Sequence, residues 1–327
     1  MTRRRVAAVL IAIVGIASSA LAQTTPRAPG TSEAVTARGG AALERLRNNI
    51  EQIARSVDTH WGIYIKCLET SEEIAINADE AMDTMSVIKL PLMVEAFRQI
   101  EAGQFALTDK YTLKAGDRRP GTGVLRSMDD GTTISIKDAL TLMTIVSDNT
   151  ATDIIFGRVG GPDAVNALMK SYGLNSIRAV GSAESWFTAL NAAPNSTVFH
   201  NEVKRPFGLS SPRDMGRLIE KIVKGEAVSK AASAQMLDIL GRQVYATGLP
   251  KYVVGFQVPH KTGDFVPFVA NDVGVLMSER RKIVMSIFTD KRNVPADLPT
   301  RLMGPAIEDA IGRIAQQVAD YFVFTTQ

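Results

Sequence analysis

Residues 86–102 recur with helical spacing, yet they are apolar on almost every side, through Ile88, Leu90, Leu92, Met93, Ala96, Phe97 and Ile100. A helix without a polar face has to be covered all round, so it belongs at the centre of a domain. The rest of the chain supplies the cover. Leu43, Leu46, Ile50 and Ile53 predict a helix over residues 41–56. Residues 61–68 and 73–76 read as two strands joined by a polar turn. Further helices are expected over residues 138–146, 149–158, 162–172, 212–223, 229–240 and 305–322. β-character returns at residues 252–261, 268–277 and 282–288, the last two joined by a hairpin turn at 278–281. Strands at both ends of the chain with helices between them predict an α/β (α+β) fold: an antiparallel sheet flanked by helices, plus an all-helical subdomain. Residues 178–211 show little periodicity and contain two prolines, which predicts a long ordered loop of the kind that carries function.

The chain has 327 residues, 45% of them apolar and 22% charged, enough for one large domain or two intertwined subdomains. The formal charge of +3 comes from Arg3, Arg4 and Arg5 alone. Beyond residue 22 acids and bases balance, which removes any electrostatic reason to expect nucleic acid as a partner. The arginines open an apolar run, residues 6–16, that leads to Ala20-Leu21-Ala22. This is the form of a cleavable export signal, and the run is short for a bilayer span. Residues 1–22 therefore predict a signal peptide cut before Gln23, on a Sec or twin-arginine route, and a periplasmic or secreted monomer free of the membrane. Residues 23–40, rich in Thr, Pro, Ala and Gly, read as a flexible linker, and residues 41–327 as the folded domain. The single cysteine, Cys67, lies in an alternating apolar run and is expected as a buried strand residue, not as a thiol nucleophile. His60, His200 and His260 form no close ligand pair, so neither a metal nor a cofactor is expected.

Three short motifs follow one another. Ser86-Val87-Ile88-Lys89 is the one S-x-x-K of the chain, Ser147-Asp148-Asn149 stands between two helices, and Lys261-Thr262-Gly263 ends a strand just before Asp264. A serine hydroxyl needs a nearby base to act as a nucleophile. At i and i+3 of a helix, Ser86 and Lys89 share a face. A lysine in apolar surroundings beside a second cation loses basicity and can become that base, and Lys261 can supply the second cation. Ser86 at a helix start lies near unpaired N–H groups; its own and that of Asp264 can hold a developing oxyanion. Ser147 can carry a proton to a leaving nitrogen, Asn149 can hold a substrate amide, and Lys261 with Thr262 can take a substrate carboxylate. Singly, each motif has a plain structural explanation: a snorkelling lysine, a helix cap, a strand end. Their order, separation and setting together point to serine acyl transfer.

On these motifs the chain resembles the class A β-lactamases and the related penicillin-binding DD-peptidases, over about residues 41–325. Gly121-Thr122-Gly123-Val124-Leu125, Ser147 to Ala151, Gly161-Pro162 and Asn271-Asp272-Val273-Gly274 extend the likeness. The resemblance implies a sheet with a helical subdomain and an active site between them. It also implies a glutamate, in a W-E-x-x-L-N-like stretch, that activates the water releasing the acyl-enzyme. Here that stretch is Trp186-Phe187-Thr188-Ala189-Leu190-Asn191, with Phe187 at the glutamate position and Asn191 kept. Glu184 is the nearest carboxylate, and the loop's Arg–Asp clasp retains Arg178 at most.

Three functions stay open on the sequence. One is a β-lactamase, acylated at Ser86 and deacylated with Glu184 as base. The second is a DD-peptidase that acts on D-alanyl-D-alanine ends of peptidoglycan and traps β-lactams, with Lys89 serving both half-reactions. The third is a non-catalytic module binding penicillin or cell-wall fragments, whose signature would be a broken acylation set; here Ser86, Lys89, Ser147 and Lys261 are all present.

Overall fold

The structure, a computed structural model, describes residues 31–192, 207–265, 269–290 and 303–324. The expected signal peptide, residues 23–30 of the linker, and His200 lie outside them. In chain order the elements are α1 (Thr31–Arg55), β1 (His60–Cys67), β2 (Glu73–Ile76), β3 (Met82–Asp83), a 3₁₀ turn (Met85–Ile88) running into α2 (Lys89–Glu101), β4 (Lys110–Thr112), β5 (Thr133–Ser135), α3 (Ile136–Ile145), α4 (Asn149–Val159), α5 (Pro162–Ser171), β6 (Arg178–Ala179), α6 (Ala183–Ala192), β7 (Gly208–Ser210), α7 (Pro212–Lys224), α8 (Lys230–Gly241), β8 (His260–Phe265), β9 (Val269–Met277), β10 (Lys282–Asp290) and α9 (Met303–Phe324). The chain divides after residue 40 into two units. Of the first, Met1–Gly40, only the start of α1 is described; everything below concerns Ala41–Gln327.

Chain ends meet in one antiparallel sheet of order β2-β1-β10-β9-β8. Alternation sorts its side chains. Trp61, Ile63, Ile65 and Cys67 of β1 with Ile283, Met285 and Ile287 of β10 pack with Leu46 and Ile50 of α1 and Ile307, Ile311 and Ile314 of α9. Val284 and Phe288 of β10 with Val273 and Val275 of β9 face the other way, into the core of α7, α8 and the helical part. Helices thus cover both faces, and β9 and β10 are buried along almost their whole length. Helix α2 is buried on all sides from Lys89 to Phe97, as its composition requires. Each apolar side chain buried there contributes roughly 1.5–3 kcal/mol. Side-chain caps start the neighbouring helices: Ser135 on α3, Asp148 on α4, Ser211 on α7 and Ser229 on α8. Among the described residues no helix is long and apolar enough to cross a membrane.

Four expectations change. Residues 31–40, in the second half of the expected linker, are helical as part of α1. Residues 86–88 form a 3₁₀ turn, not the first turn of the α-helix. The long loop contains α6 and the short strands β6 and β7; Ala183, Trp186, Phe187 and Leu190 fall at i, i+3, i+4 and i+7 and turn inward. Residues 252–259 are not a strand, and the Lys-Thr-Gly run begins β8 instead of ending a strand. Pro259 has no N–H to give to a ladder, so continuous pairing starts at His260.

Candidate active site

The 3₁₀ turn sets the nucleophile. Residues i and i+3 eclipse in this geometry, which stacks Ser86 over Lys89 at the head of α2. Met85, Val87 and Ile88 are buried, while Ser86 stays half-buried at the edge of the cleft. Edge strand β8 passes directly beside it. A side chain at residue 263 would put its Cβ 3.0 Å from the Ser86 nitrogen and 2.5 Å from the Thr84 oxygen, so the approach needs glycine.

Behind Ser86 lies a hydrogen-bonded row of polar groups. Lys89 Nζ donates to the Ser147 carbonyl at 2.7 Å and to Asn149 Oδ1 at 2.9 Å, and lies 2.9 Å from Ser147 Oγ. Lys261 Nζ lies 3.2 Å from the same hydroxyl and donates to the Thr262 carbonyl at 2.7 Å. Two of the Lys89 contacts are obligate acceptors; the Ser147 hydroxyl can give or take. The Asn149 orientation is fixed by its Nδ2, which donates to the Pro120 carbonyl at 2.9 Å. Both amines are fully buried. Burial first, and the Lys261 charge second, hold Lys89 well below the ordinary lysine range, although Asp148, Asp153 and Asp264 pull the other way. Burial lowers Lys261 to about 8 against the charges of Asp264 and Asp272. The row can run in one direction: the Lys261 ammonium donates to Ser147 Oγ, and once Lys89, whose basicity is depressed, gives up its proton, the Ser147 hydroxyl can donate to it.

Ser147 is itself held in a left-handed conformation, φ 54°, an arrangement that persists only where its surroundings fix it. Those surroundings are a strap, residues 119–125. Thr122 Oγ1 donates to the Ser147 carbonyl at 2.8 Å, and the Asp148 carboxylate accepts the N–H groups of Val124 and Leu125 as well as capping α4. These strap contacts were invisible to residue chemistry alone; the Gly-Thr-Gly run was the available signal. Phe187 closes the strap side. A Cβ on Gly121 would lie 2.7 Å from Asn149 Nδ2 and 2.8 Å from Phe187 Cζ, so the ring edge and the amide that orients Lys89 flank one point. Trp186 stacks edge-on against both Phe187 and Phe265 at the end of β8.

Of the residues expected from sequence, Lys89, Ser147, Asn149 and Lys261 make direct contacts, and Ser86, Thr262 and Gly263 border them. Asp264 follows on β8, exposed, its charge acting on both lysines. Glu184 is not brought in. Its carboxylate is 64% exposed and accepts from Arg119 at 3.1 Å, on the outer side of α6. Asp153 of α4 is the group that holds this end of α6, accepting from the N–H of Ala183 at 2.7 Å, the N–H of Glu184 at 2.9 Å and Arg119 Nε at 2.6 Å. Glu184 is held by Arg119, which also pairs with Asp153. Asn191 sits exposed in the last turn of α6, and among the described residues it makes no hydrogen bond to the Lys89–Ser147 row. Cys67 is fully buried in β1, as expected. His60 pairs with Glu80, and His260 with Asp272.

A two-face sheet, a helical layer and a serine stacked over a buried lysine at their seam define a serine hydrolase of the β-lactamase/transpeptidase-like fold. The chain belongs to the β-lactamase enzyme family, whose model matches residues 45–322. It is similar to β-lactamase L2 of Stenotrophomonas maltophilia, 27% identical over 266 residues that span 80% of this chain and 82% of that one. Among solved structures it resembles a β-lactamase from Sphaerobacter thermophilus, with TM-score 0.69, 26% identity, and coverage of 85% of this chain and 97% of that one. It also resembles a point mutant of PBP-A in an acyl-enzyme complex with penicillin G, with TM-score 0.71, 25% identity, and coverage of 86% and 97%.

Proposed function

We propose that the chain is an exported serine hydrolase that β-lactams acylate at Ser86 and that releases the acyl group slowly. The observation that carries acylation is the one-way row Lys261–Ser147–Lys89 beneath the nucleophile. Lys89 takes the Ser86 proton as Oγ bonds to the lactam carbonyl carbon. The backbone N–H groups of Ser86 and Asp264 hold the oxyanion. Ser147 gives its proton to the lactam nitrogen as the C–N bond breaks and is reprotonated by Lys89. Lys261 and Thr262 hold the substrate carboxylate, and Asn149 its side-chain amide.

Slow release follows from the strap side. The ring of Phe187 borders Asn149, and Glu184 is bound to Arg119, so no carboxylate on α6 is aimed at a water beside Ser86. The same observation favours a second reading, in which the natural substrate is a D-alanyl-D-alanine peptidoglycan end and β-lactams are trapped. Export by residues 1–22 predicts a mature chain beginning at Gln23, which N-terminal sequencing of the secreted protein checks.

Intact-mass spectrometry after mixing with penicillin G should show one adduct of the full penicillin mass, absent in Ser86→Ala. A wild type that binds penicillin without an adduct would be a binding module, and the proposal would be lost. The rate of adduct formation should fall as pH rises through about 8, where Lys261 loses the charge that holds a carboxylate. That fall is not unfolding. An unfolded lysine keeps its proton to about 10.4, so between about 8 and that value the unfolded chain binds more protons and the fold gains stability with rising pH. Quenched mass spectrometry against pH, beside thermal melts, separates the two.

A further inference from the structure

We infer that Asp83 is a positioning residue for the nucleophile: its buried carboxylate ties the turn that presents Ser86 to strand β7 and holds Met85 in a left-handed conformation. The inference rests on the reading of Ser86 given above.

Asp83 is 6% exposed, three residues before Ser86, in β3. Its Oδ1 accepts the N–H of Met85 at 2.8 Å, and the backbone N–H groups of Gly208 and Phe207 also favour its charged form. Thr84 N–H donates to the Gly208 carbonyl at 3.0 Å, so the turn and β7 are tied in both directions. The main-chain oxygen of Asp83 accepts from Asn271 Nδ2 at 2.8 Å, and Asn271 Oδ1 accepts the N–H of Thr289, which links the tie to β9 and β10. Met85 has φ 42°, a region closed to most residues that carry a Cβ. Its ψ sets the plane of the next peptide, and that peptide carries the Ser86 N–H. If Met85 relaxed, this donor would turn away from the oxyanion.

The chemistry fits a carboxylate and no neutral group of its size. One N–H bonds to it and two more favour its charge, whereas an asparagine would offer one acceptor oxygen and turn an NH₂ toward the remaining N–H groups. Burial pushes the Asp83 carboxyl up to about 7; Asp290 at the end of β10 adds repulsion, and the three N–H groups oppose both. Strand β7 brings backbone donors to it, and β9 brings the Asn271 amide. The tie is therefore at full strength above about pH 7 and weakens below it.

The test uses the full chain. Asp83→Asn should slow acylation by penicillin G tenfold or more at pH 8 and remove the acid limb that wild type shows near pH 7. Met85→Gly added to Asp83→Asn should restore most of the lost rate, because glycine adopts φ near 40° unaided. A ¹³C-methyl resonance of Met85 should titrate near pH 7 in Ser86→Ala, where no acylation takes place, so the tie is also read without the reaction. If Asp83→Asn keeps the wild-type rate or the acid limb, the limb belongs to Lys89 and the inference is overturned. A Met85 methyl that is silent between pH 5 and 8, or a double variant no faster than Asp83→Asn, overturns it as well. A wild type that forms no adduct while its Met85 methyl titrates refutes the nucleophile and leaves the tie standing.

Discussion

Exchanging Phe187 for glutamate should shorten the life of the Ser86 acyl-enzyme by roughly 10²-fold or more, the usual scale of general-base catalysis. The position is set by geometry. Phe187 lies in the first half of α6, and its ring edge borders the point shared by Gly121 and Asn149, one hydrogen bond from Lys89. A carboxylate in that place is held by the same helix, whose start is fixed by Asp153 and Arg119 and not by anything at residue 187. The exchange also removes a ring that packs edge-on against Trp186, so the variant should be less stable; aromatic pairs contribute about 0.5–1.5 kcal/mol beyond burial. Faster release in a less stable protein is the distinguishing pair of results. The adduct's decay by mass spectrometry, after excess penicillin is removed, measures the first and a thermal melt the second. Glu184→Gln should leave the decay unchanged, because its carboxylate is engaged with Arg119 outside the cleft. A decay that slows in Glu184→Gln and does not move in Phe187→Glu would reverse the assignment.

The sequence carries the proposed acylation set and not the means of holding it. Ser86, Lys89, Ser147 and Lys261 are legible because their chemistry demands particular residue types, and three short motifs place them in order. Thr122 and the Pro120 carbonyl act through single backbone contacts to residues tens of positions away, and such contacts leave no local pattern. Proximity of Glu184 to Phe187 in sequence likewise says nothing of its bond to Arg119, 65 positions away. In the fold, the central helix and the sheet strands were readable from periodicity. The stretch 252–258 was not, because an apolar loop over a sheet end and a half-buried strand alternate alike; Pro259 alone told them apart. Helix α6 was readable at i, i+3, i+4 and i+7, but its two aromatics sit among polar residues and blur the stripe.

Replacing Lys89 with methionine should lower the rate of acylation by roughly 10²–10⁴-fold, the loss expected of a general base, while moving stability far less. Two terms oppose each other in the fold. The substitution leaves Asn149 Oδ1 without its donor, and a buried group left unpaired costs about 1–3 kcal/mol, while the Ser147 carbonyl keeps the Thr122 hydroxyl. Against that, it removes an amine whose charged form burial already disfavours, and whose stem is as apolar as the methionine that replaces it. Lys89→Arg makes the sharper comparison. Arginine supplies donors to the same oxygens but stays protonated at every accessible pH, so it cannot accept the Ser86 proton. It also brings a fixed charge into a site where burial and Lys261 disfavour one. Acylation should therefore fail as badly in Lys89→Arg as in Lys89→Met, and the arginine variant should melt at the lower temperature. If Lys89→Arg acylated at the wild-type rate, the lysine would be serving as a hydrogen-bond donor alone, and the proton from Ser86 would have to leave by another route.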